Sequence, residues 1–349
     1  MLLVFALLFM NLSFTESHLR LGAVLGLSGV NSYYGTLIKQ GIDIARDELK
    51  NIKVFFEDSQ NNSNEGVKAY KQLVTQRIHA VITAMSIISV PIAPLANQDK
   101  IIQFAVLSWA NSYSSPDDYT FRLDITTSDA VQAFCEYLSD IRAKNWGIAA
   151  VKTVWGTDTK NFLQSKCPVH FAFAEDYLEQ ERDYSSLVTK FKSKNIEGVL
   201  ILDHRIASLA ELIKRFRTQK FTGEIVYGGG IAQDDTLFRV AGKEAEGTKY
   251  VYVTLDEESI IKKFKTKFNQ IPLNPYLVAL GYEATRILTQ IFNDCPSNDC
   301  ALKKLYSNEF DTVFGKIKFD KYGNAKGLRT EMRVVRNGKF EKLERNLRS

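Results

Sequence analysis

The chain has 349 residues, which is long for one hydrophobic core and typical of two α/β lobes. Hydrophobic residues make up 45% of it and charged residues 24%, which is ordinary for a soluble globular protein. The formal net charge is +5, but acidic and basic residues are interleaved throughout. No aromatic residue follows Phe340 in the basic C-terminal segment, so the charge pattern argues against a nucleic-acid partner.

The chain begins with a short apolar segment. Leu2–Met10 is continuously apolar and is too short to span a bilayer, which needs about 20 residues. It has the length of a signal-peptide core, and Thr15-Glu16-Ser17 offers a small-x-small cleavage site, although no Lys or Arg precedes the run. The alternative is a hydrophobic chain terminus. We expect residues 1–17 to be a signal peptide and the protein to be periplasmic or otherwise extracytoplasmic.

A strand, a helix and a second strand follow in that order. Leu19–Leu27 is a short apolar run, a helical period of apolar residues begins at Thr36, and Lys53–Phe56 is β-branched and aromatic. This order predicts a parallel βαβ unit, which binds ligands in the loop after its first strand. The hydroxyl-bearing residues of that loop are Ser28, Tyr33 and Tyr34. Such groups suit the binding of a small molecule.

Strands and helices alternate over most of the remaining chain. Further strands are predicted at Ala80–Thr83, Ile101–Val106, Tyr119–Leu123, Trp146–Val151, Val169–Phe173, Gly198–Leu202, Glu224–Tyr227, Gly247–Val253 and Gly315–Phe319. Helices are predicted at Val90–Gln98, Asp129–Ile141 with Ser128 as N-cap, Asp183–Lys194, Ile206–Thr218, Glu257–Asn269 and Pro275–Asn293. Asn337-Gly338 predicts a two-residue hairpin near the end. The fold class is therefore α/β, with two successive α/β series.

The four cysteines divide into a close pair and two distant residues. Cys295 and Cys300 bound a short polar loop, where a local disulfide would suit an oxidising compartment. Cys135 lies in a predicted helix and is interpreted as a small core residue. Cys167 precedes Pro168, and the sequence assigns it no role.

Motifs for catalysis, metals and nucleotides are absent from the sequence. None of the four histidines is paired at metal-binding spacing, and there is no H-E-x-x-H and no P-loop. The first turn lacks the dinucleotide G-x-G-x-x-G, and Ser28 is not in a G-x-S-x-G elbow. We therefore expect no catalytic residues, no metal and no cofactor, and the protein is not predicted to be an enzyme.

Four stretches in order carry a family resemblance: LGAVLGLSGVNSYYG at 21–35, Lys53–Asp58, FRLDITTSDAVQA at 121–133 and FGKIKFDKYGNAKG at 314–327. They resemble the type I periplasmic solute-binding proteins, specifically the branched-chain amino-acid (leucine/isoleucine/valine) binding family of ABC importers. The resemblance implies two Rossmann-like lobes with parallel sheets, joined by three crossovers. It places residues 18–124 and 255–327 in the first lobe, and residues 125–254 and 328–349 in the second.

The resemblance also implies a ligand pocket. Ser86, in the predicted loop before a helix, matches the family's carboxylate-binding serine. A hydroxyl and the N–H groups at a helix N-terminus suit an anion. Its alternative role is that of an ordinary helix cap. The other matching or neighbouring pocket positions are Tyr34, Ser108, Trp109, Trp155 and Tyr276. Each of the aromatic residues could instead serve packing.

The sequence departs from the family pattern at two pocket positions. His204 stands where the family has an aromatic residue in its second lobe. Gly229 stands at or near the position where the family has the acidic partner of the ligand ammonium. An ammonium buried without a carboxylate is costly, so either Asp203 or Asp234 replaces that partner or the ligand lacks an amine. An aromatic or keto carboxylate is then the alternative to an amino acid.

The resemblance implies an extracytoplasmic binding protein that captures a small amino acid or related carboxylate between two closing lobes. Its partners would be that small molecule and the membrane permease of an ABC importer, and we expect a monomer. A ligand-sensing receptor domain of the same fold is the alternative. A DNA-binding repressor would need an N-terminal helix-turn-helix, for which the first strand starts too early.

Overall fold

The computed structural model describes residues 19–29, 31–228 and 233–344. The predicted signal peptide, residues 1–17, lies outside the described residues. Within them, no helix is both long enough and apolar enough to cross a membrane.

Fifteen strands occur in the described residues. They are β1 Leu19–Leu25, β2 Ile52–Asp58, β3 Ala80–Ala84, β4 Ile102–Val106, β5 Thr120–Arg122, β6 Asn145–Val151, β7 His170–Tyr177, β8 Gly198–Leu202, β9 Glu224–Gly228, β10 Lys249–Val253, β11 Glu309–Thr312, β12 Gly315–Phe319, β13 Ala325–Lys326, β14 Thr330–Arg336 and β15 Lys339–Lys342. Strands β3, β4 and β8 are buried along their whole length, as strands covered on both faces must be.

Eleven α-helices occur in the same residues. They are α1 Ser32–Glu48, α2 Ser63–Thr75, α3 Ser86–Asp99, α4 Thr127–Asp140, α5 Val154–Lys166, α6 Ser185–Lys192, α7 Ile206–Thr218, α8 Asp235–Ala241, α9 Glu257–Phe268, α10 Pro275–Asp294 and α11 Asn298–Ser307. Gly41 and Gly281 let α1 and α10 pack closely, because a Cβ on either would lie 2.0 Å from a carbonyl oxygen of the other helix.

The strands form two large sheets with the same core topology. The first sheet has the order β2-β1-β3-β4-β5, with every neighbouring pair parallel. The second has the order β15-β14-β10-β9-β8-β6-β7, in which β14 pairs antiparallel with both β10 and β15 and the other neighbouring pairs are parallel. Both contain the doubly wound 2-1-3-4-5 arrangement, so ligands are expected where the strand order reverses, at β1/β3 and β6/β8. The predicted fold, two Rossmann-like lobes, is confirmed.

The chain passes between the two sheets three times. The passages lie between β5 and α4, between β10 and α9, and between β13 and β14. The small antiparallel sheet β11-β12-β13 joins the first large sheet through a bridge between Arg122 and Asn324. The C-terminal hairpin turns at Asn337-Gly338, and both residues have a positive φ, as predicted.

Several predicted elements were wrong in detail. Helix α3 begins at Ser86 instead of Val90, so Ser86 is the first helical residue and not part of a preceding loop. Helix α4 is capped by Thr126 instead of Ser128, since Thr126 and Asp129 form a reciprocal capping box. Helix α11 was missed, and Cys300 lies in it.

Both cysteine pairs form disulfides. Cys295 bonds to Cys300, as an oxidising compartment would allow. Cys135 bonds to Cys167, so the interpretation of Cys135 as a simple core residue was wrong. The reason is tertiary: α4 and α5 pack together, which brings Cys135 in α4 next to the residue that ends α5. No free cysteine is present in the described residues.

Candidate functional site

The candidate site is a cavity of about 600 Å³ between the two lobes. Its lining residues follow the carboxyl ends of β3, β4, β6, β7 and β8, where doubly wound sheets bind ligands. The residues used below are Ser86, Trp109, Trp155, Asp158, Glu179 and His204. The first two come from the first lobe and the other four from the second. The cavity therefore lies where one small molecule would touch both lobes.

The first lobe presents a helix N-terminus to this cavity. Ser86 begins α3, whose first turn contains no acidic residue. The first N–H groups of a helix lack partners inside the helix and carry the positive end of its dipole. Met85, just before the helix, has φ 72° and ψ 142°, and Leu107 beside it has φ 50°. Such backbone strain in non-glycine residues is concentrated at ligand clamps and active sites.

The Ser86 hydroxyl has both of its acceptor positions occupied. Its oxygen accepts hydrogen bonds from the Ala110 N–H at 3.2 Å and the Ser108 hydroxyl at 3.4 Å. A serine hydroxyl has one proton to donate, and that proton remains for a ligand oxygen. A hydroxyl and a helix N-terminus placed together are suited to an anion.

Aromatic rings from both lobes line the cavity. The Trp109 and Trp155 rings meet edge to face with centroids 6.1 Å apart. Trp155 and His204 form a second edge-to-face pair at 6.4 Å. Burial lowers the pKa of His204, so its imidazole is uncharged near neutral pH. These rings give the cavity an apolar wall suited to a hydrophobic or flat group.

Tyr34 connects the two lobes beside this cavity. Its side chain is buried, and its hydroxyl donates a 3.0 Å hydrogen bond to the backbone carbonyl of His204. The hydroxyl of Tyr33 donates similarly to the Gln233 carbonyl at 3.3 Å. Tyr34 lines an adjoining cavity of about 860 Å³, which also contains Asp234. Helix α1 therefore holds the second lobe against the first.

Of the other predicted residues, Ser108, Asp203 and Tyr276 do not line either cavity. Ser108 is fully buried behind Ser86, and Tyr276 is fully buried with its hydroxyl donating to Asp124 at 2.5 Å. Gly229 lies outside the described residues. The structure thus brings together four of the nine predicted residues around one cavity and places Tyr34 next to it.

Asp203 is held by its own lobe. One of its oxygens accepts from the backbone N–H and Nε of Arg205, and the other accepts from Nη2 of Arg205 at 2.7 Å and from the Tyr177 hydroxyl at 2.8 Å. Its side chain has no exposed surface. Both carboxylate oxygens therefore serve a buried ion pair, which leaves no free acceptor for a ligand ammonium.

Several cavity residues were missed in the sequence. Ile87, Leu107, Lys152, Asp158 and Glu179 all line it. Leu107 and Lys152 directly follow strands, and Glu179 lies two residues after one, so the rule that ligands bind at strand ends would have found them. Asp158 lies in α5 and gave no such signal. Within the described residues, no group of three or more His, Cys, Asp or Glu side chains could hold a metal ion.

A buried carboxyl group lies at the first passage between the lobes. Asp124 accepts hydrogen bonds from Tyr276 and from the Ile125 N–H, yet burial outweighs these and raises the pKa of Asp124 to about 6. The folded state therefore keeps a proton that the unfolded chain, with a pKa near 3.8, has lost. Stability is then lost as the pH rises from about 4 through about 6.

We expect this pH dependence to be removed by Asp124→Asn. Between pH 4 and 7 the wild type should lose about 2 kcal/mol of unfolding free energy more than the variant, as follows from the two pKa values. Urea denaturation at several pH values measures the free energy of unfolding of the wild type and of the variant. Parallel stability profiles of the two proteins would show that Asp124 titrates normally.

The comparisons with known proteins agree with this fold. The chain is 23% identical over 344 residues to the Leu/Ile/Val-binding protein of Escherichia coli K12, covering 93% of this chain and 92% of that one. It is similar to LivJ, a branched-chain amino acid transporter substrate-binding protein from Streptococcus pneumoniae solved with isoleucine (18% identity, 93% and 99% coverage, TM-score 0.83). It is also similar to an ABC transporter solute-binding protein from Rhodopseudomonas palustris BisB5 solved with 3,4-dihydroxybenzoic acid (15% identity, 94% and 96% coverage, TM-score 0.79).

These relatives are substrate-binding proteins, and the prediction that the chain is not an enzyme is confirmed by them. The sequence profile of the family described as periplasmic binding protein matches residues 18–339, nearly the whole chain. The chain therefore belongs to the periplasmic binding protein family.

Proposed function

We propose that the protein is the extracytoplasmic solute-binding component of an ABC importer and captures a small amino acid or related carboxylate between its lobes. The observation that supports this most is the cavity itself, with a helix N-terminus on one lobe and an aromatic wall reaching the other. The N-terminus of α3 and the Ser86 hydroxyl suit a carboxylate, and Trp109, Trp155 and His204 suit an apolar side chain.

In this proposal the lobes meet at the three passages. Residues 18–124 and 255–327 form the lobe that carries Ser86, and residues 125–254 and 328–349 form the lobe that carries Trp155. A ligand that touches both lobes favours the closed arrangement, since it binds that state more tightly than the open one. The Tyr34–His204 contact supports closure about a hinge, because it already joins the lobes at the edge of the cavity.

An aromatic organic acid is the second candidate ligand. Two indole rings line the cavity, and the similar Rhodopseudomonas palustris protein was solved with 3,4-dihydroxybenzoic acid. A flat ring would stack on or meet the edges of Trp109 and Trp155, while its carboxylate would reach α3 as an amino acid's does. Direct binding of both compound classes separates the candidates.

We expect Ser86→Ala to weaken binding about 10- to 100-fold for either ligand class. The reason is the loss of a charge-assisted hydrogen bond, worth about 1.5–3 kcal/mol. Binding is followed by tryptophan fluorescence, because two of the three tryptophans line the cavity, and by calorimetric titration.

Ser89→Ala is the matched control for that experiment. Ser89 lies three residues further along α3, is fully buried away from the cavity and accepts a hydrogen bond from Thr83 at 2.9 Å. Its replacement should cost stability and leave the affinity unchanged. Equal affinities of wild type and Ser86→Ala would remove the carboxylate from the end of α3 and would contradict this placement of the ligand.

A further inference from the structure

An amino-acid ligand brings an ammonium group that needs an anionic partner in a closed cavity. A buried charge without a partner costs several kcal/mol or loses its proton. The family resemblance implies a glycine at or near the position of the family's acid, and Asp203 is fully engaged by Arg205 and Tyr177. Asp234 lines the adjoining cavity and caps α8. The partner must therefore come from another part of the wall of this cavity.

Asp158 is a carboxylate on that wall. It is the fifth residue of α5 and lies three positions after Trp155, so the two side chains share one face of the helix. In the described part of the chain it forms neither a hydrogen bond nor an ion pair, whereas Asp176 and Glu175 nearby are each paired with a lysine. Partial burial raises the pKa of Asp158, and a cation bound beside it would reverse that shift.

The other charged residues of the cavity are less suited to this role. Glu179 lies 3.7 Å from His204, and its side chain is 39% exposed. Lys152 is exposed at the cavity edge and is itself cationic. His204 is uncharged near neutral pH and would not repel a ligand ammonium. Asp158 is thus the cavity acid on the helix that contacts α3, whereas Glu179 lies in the loop after β7.

Helix α5 also lies across the cavity from the N-terminus of α3. Helices α3 and α5 contact each other across it, with Ser86 at the start of the first and Asp158 in the first half of the second. A ligand between them would present a carboxylate to one lobe and an ammonium to the other. Both charges of an amino acid would then be neutralised only when the lobes close.

We infer that Asp158 accepts a hydrogen bond from the ligand ammonium and thereby selects α-amino acids over carboxylic acids without an amine. The inference rests on the proposed function, since it assumes that this cavity binds a carboxylate-bearing solute. It assigns the amine-recognition role to α5 of the second lobe.

The test compares two amino acids with their amine-free analogues. L-leucine and L-phenylalanine are titrated calorimetrically against the full-length mature protein, alongside 4-methyl-2-oxopentanoate and phenylpyruvate. Asp158→Asn keeps the size of the side chain and removes its charge, Asp158→Glu restores the charge, and Glu179→Gln removes the competing carboxylate. We expect Asp158→Asn to lose affinity for the amino acid about 30-fold or more and for the oxo acid less than about threefold. Asp158→Glu should recover part of the amino-acid affinity.

Each other outcome overturns the inference in a distinguishable way. Wild-type binding of oxo acids alone would overturn it and leave the proposed function intact. An amino-acid affinity that survives Asp158→Asn but falls in Glu179→Gln would transfer the role to Glu179. Equal losses for both compound classes in Asp158→Asn would indicate a structural role. Binding of none of the four compounds would overturn this inference together with the proposed ligand class.

Discussion

Replacing Asp203 with alanine is expected to lower the free energy of unfolding by about 3–5 kcal/mol, because it leaves the buried Arg205 guanidinium without its counter-ion. Arg205 donates to Asp203 through its side chain and its backbone N–H, and its side chain is only 8% exposed. The Tyr177 hydroxyl loses its acceptor in the same substitution. Guanidinium chloride denaturation of the ligand-free protein measures the change.

The control is Asp311→Ala, which removes an acid whose side chain is 84% exposed and whose ion-pair contact with Lys316 spans 3.8 Å. It should change stability by less than about 0.5 kcal/mol. Asp203→Asn keeps the shape of the side chain, and its loss of unfolding free energy should lie between those of Asp203→Ala and Asp311→Ala. A stable Asp203→Ala protein that had lost ligand affinity would return Asp203 to the binding site and contradict its placement in a structural ion pair.

Removal of the Cys135–Cys167 disulfide by alanine at both positions should destabilise the protein by about 4 kcal/mol. The bond closes a loop with a sequence separation of 32, and a longer loop restricts the unfolded chain more. The Cys295–Cys300 bond has a separation of only 5, so its removal should cost about 2 kcal/mol on the same chain-entropy model. Denaturation of the two double variants without reductant gives both values.

Thiol titration provides the control. The denatured wild-type protein should show no reactive thiol before reduction and four after it. Two thiols before reduction would mean that one of the bonds is absent in the mature protein. If the two double variants were equally stable, loop closure would not be the source of the stabilisation.

The order of elements could be predicted from the sequence because hydrophobic periodicity is a local signal. Strands such as Gly198–Leu202 and helices such as Ile206–Thr218 were predicted with their observed bounds. Errors in the predicted helix bounds occurred where a helix contains residues that disfavour helical conformation. Helix α3 contains Pro91 and Pro94, and proline disfavours a helix interior. The predicted start was therefore placed too late, since Pro91 is five residues beyond the true first residue.

The site was predictable only in part, because it is assembled from both lobes. Ser86, Trp109, Trp155 and His204 follow strand ends, and the family resemblance pointed to them. Asp203 also follows a strand, but its pairing with Arg205 and Tyr177 depends on how β7 packs beside the loop after β8. Asp158 required the tertiary arrangement, since only the approach of α5 to α3 places it on the cavity wall.

The central claim is that the cavity binds a small carboxylate-bearing solute, and thermal denaturation against two compound panels tests it most directly. One panel contains amino acids and the other contains amine-free aromatic and oxo acids. A ligand present at about 100 times its dissociation constant stabilises the folded state by about 2.7 kcal/mol, which raises the melting temperature by several degrees. We expect such a shift with at least one carboxylate in wild type and its reduction in Ser86→Ala at the same concentration. A melting temperature unchanged by every carboxylate in both panels would contradict the claim.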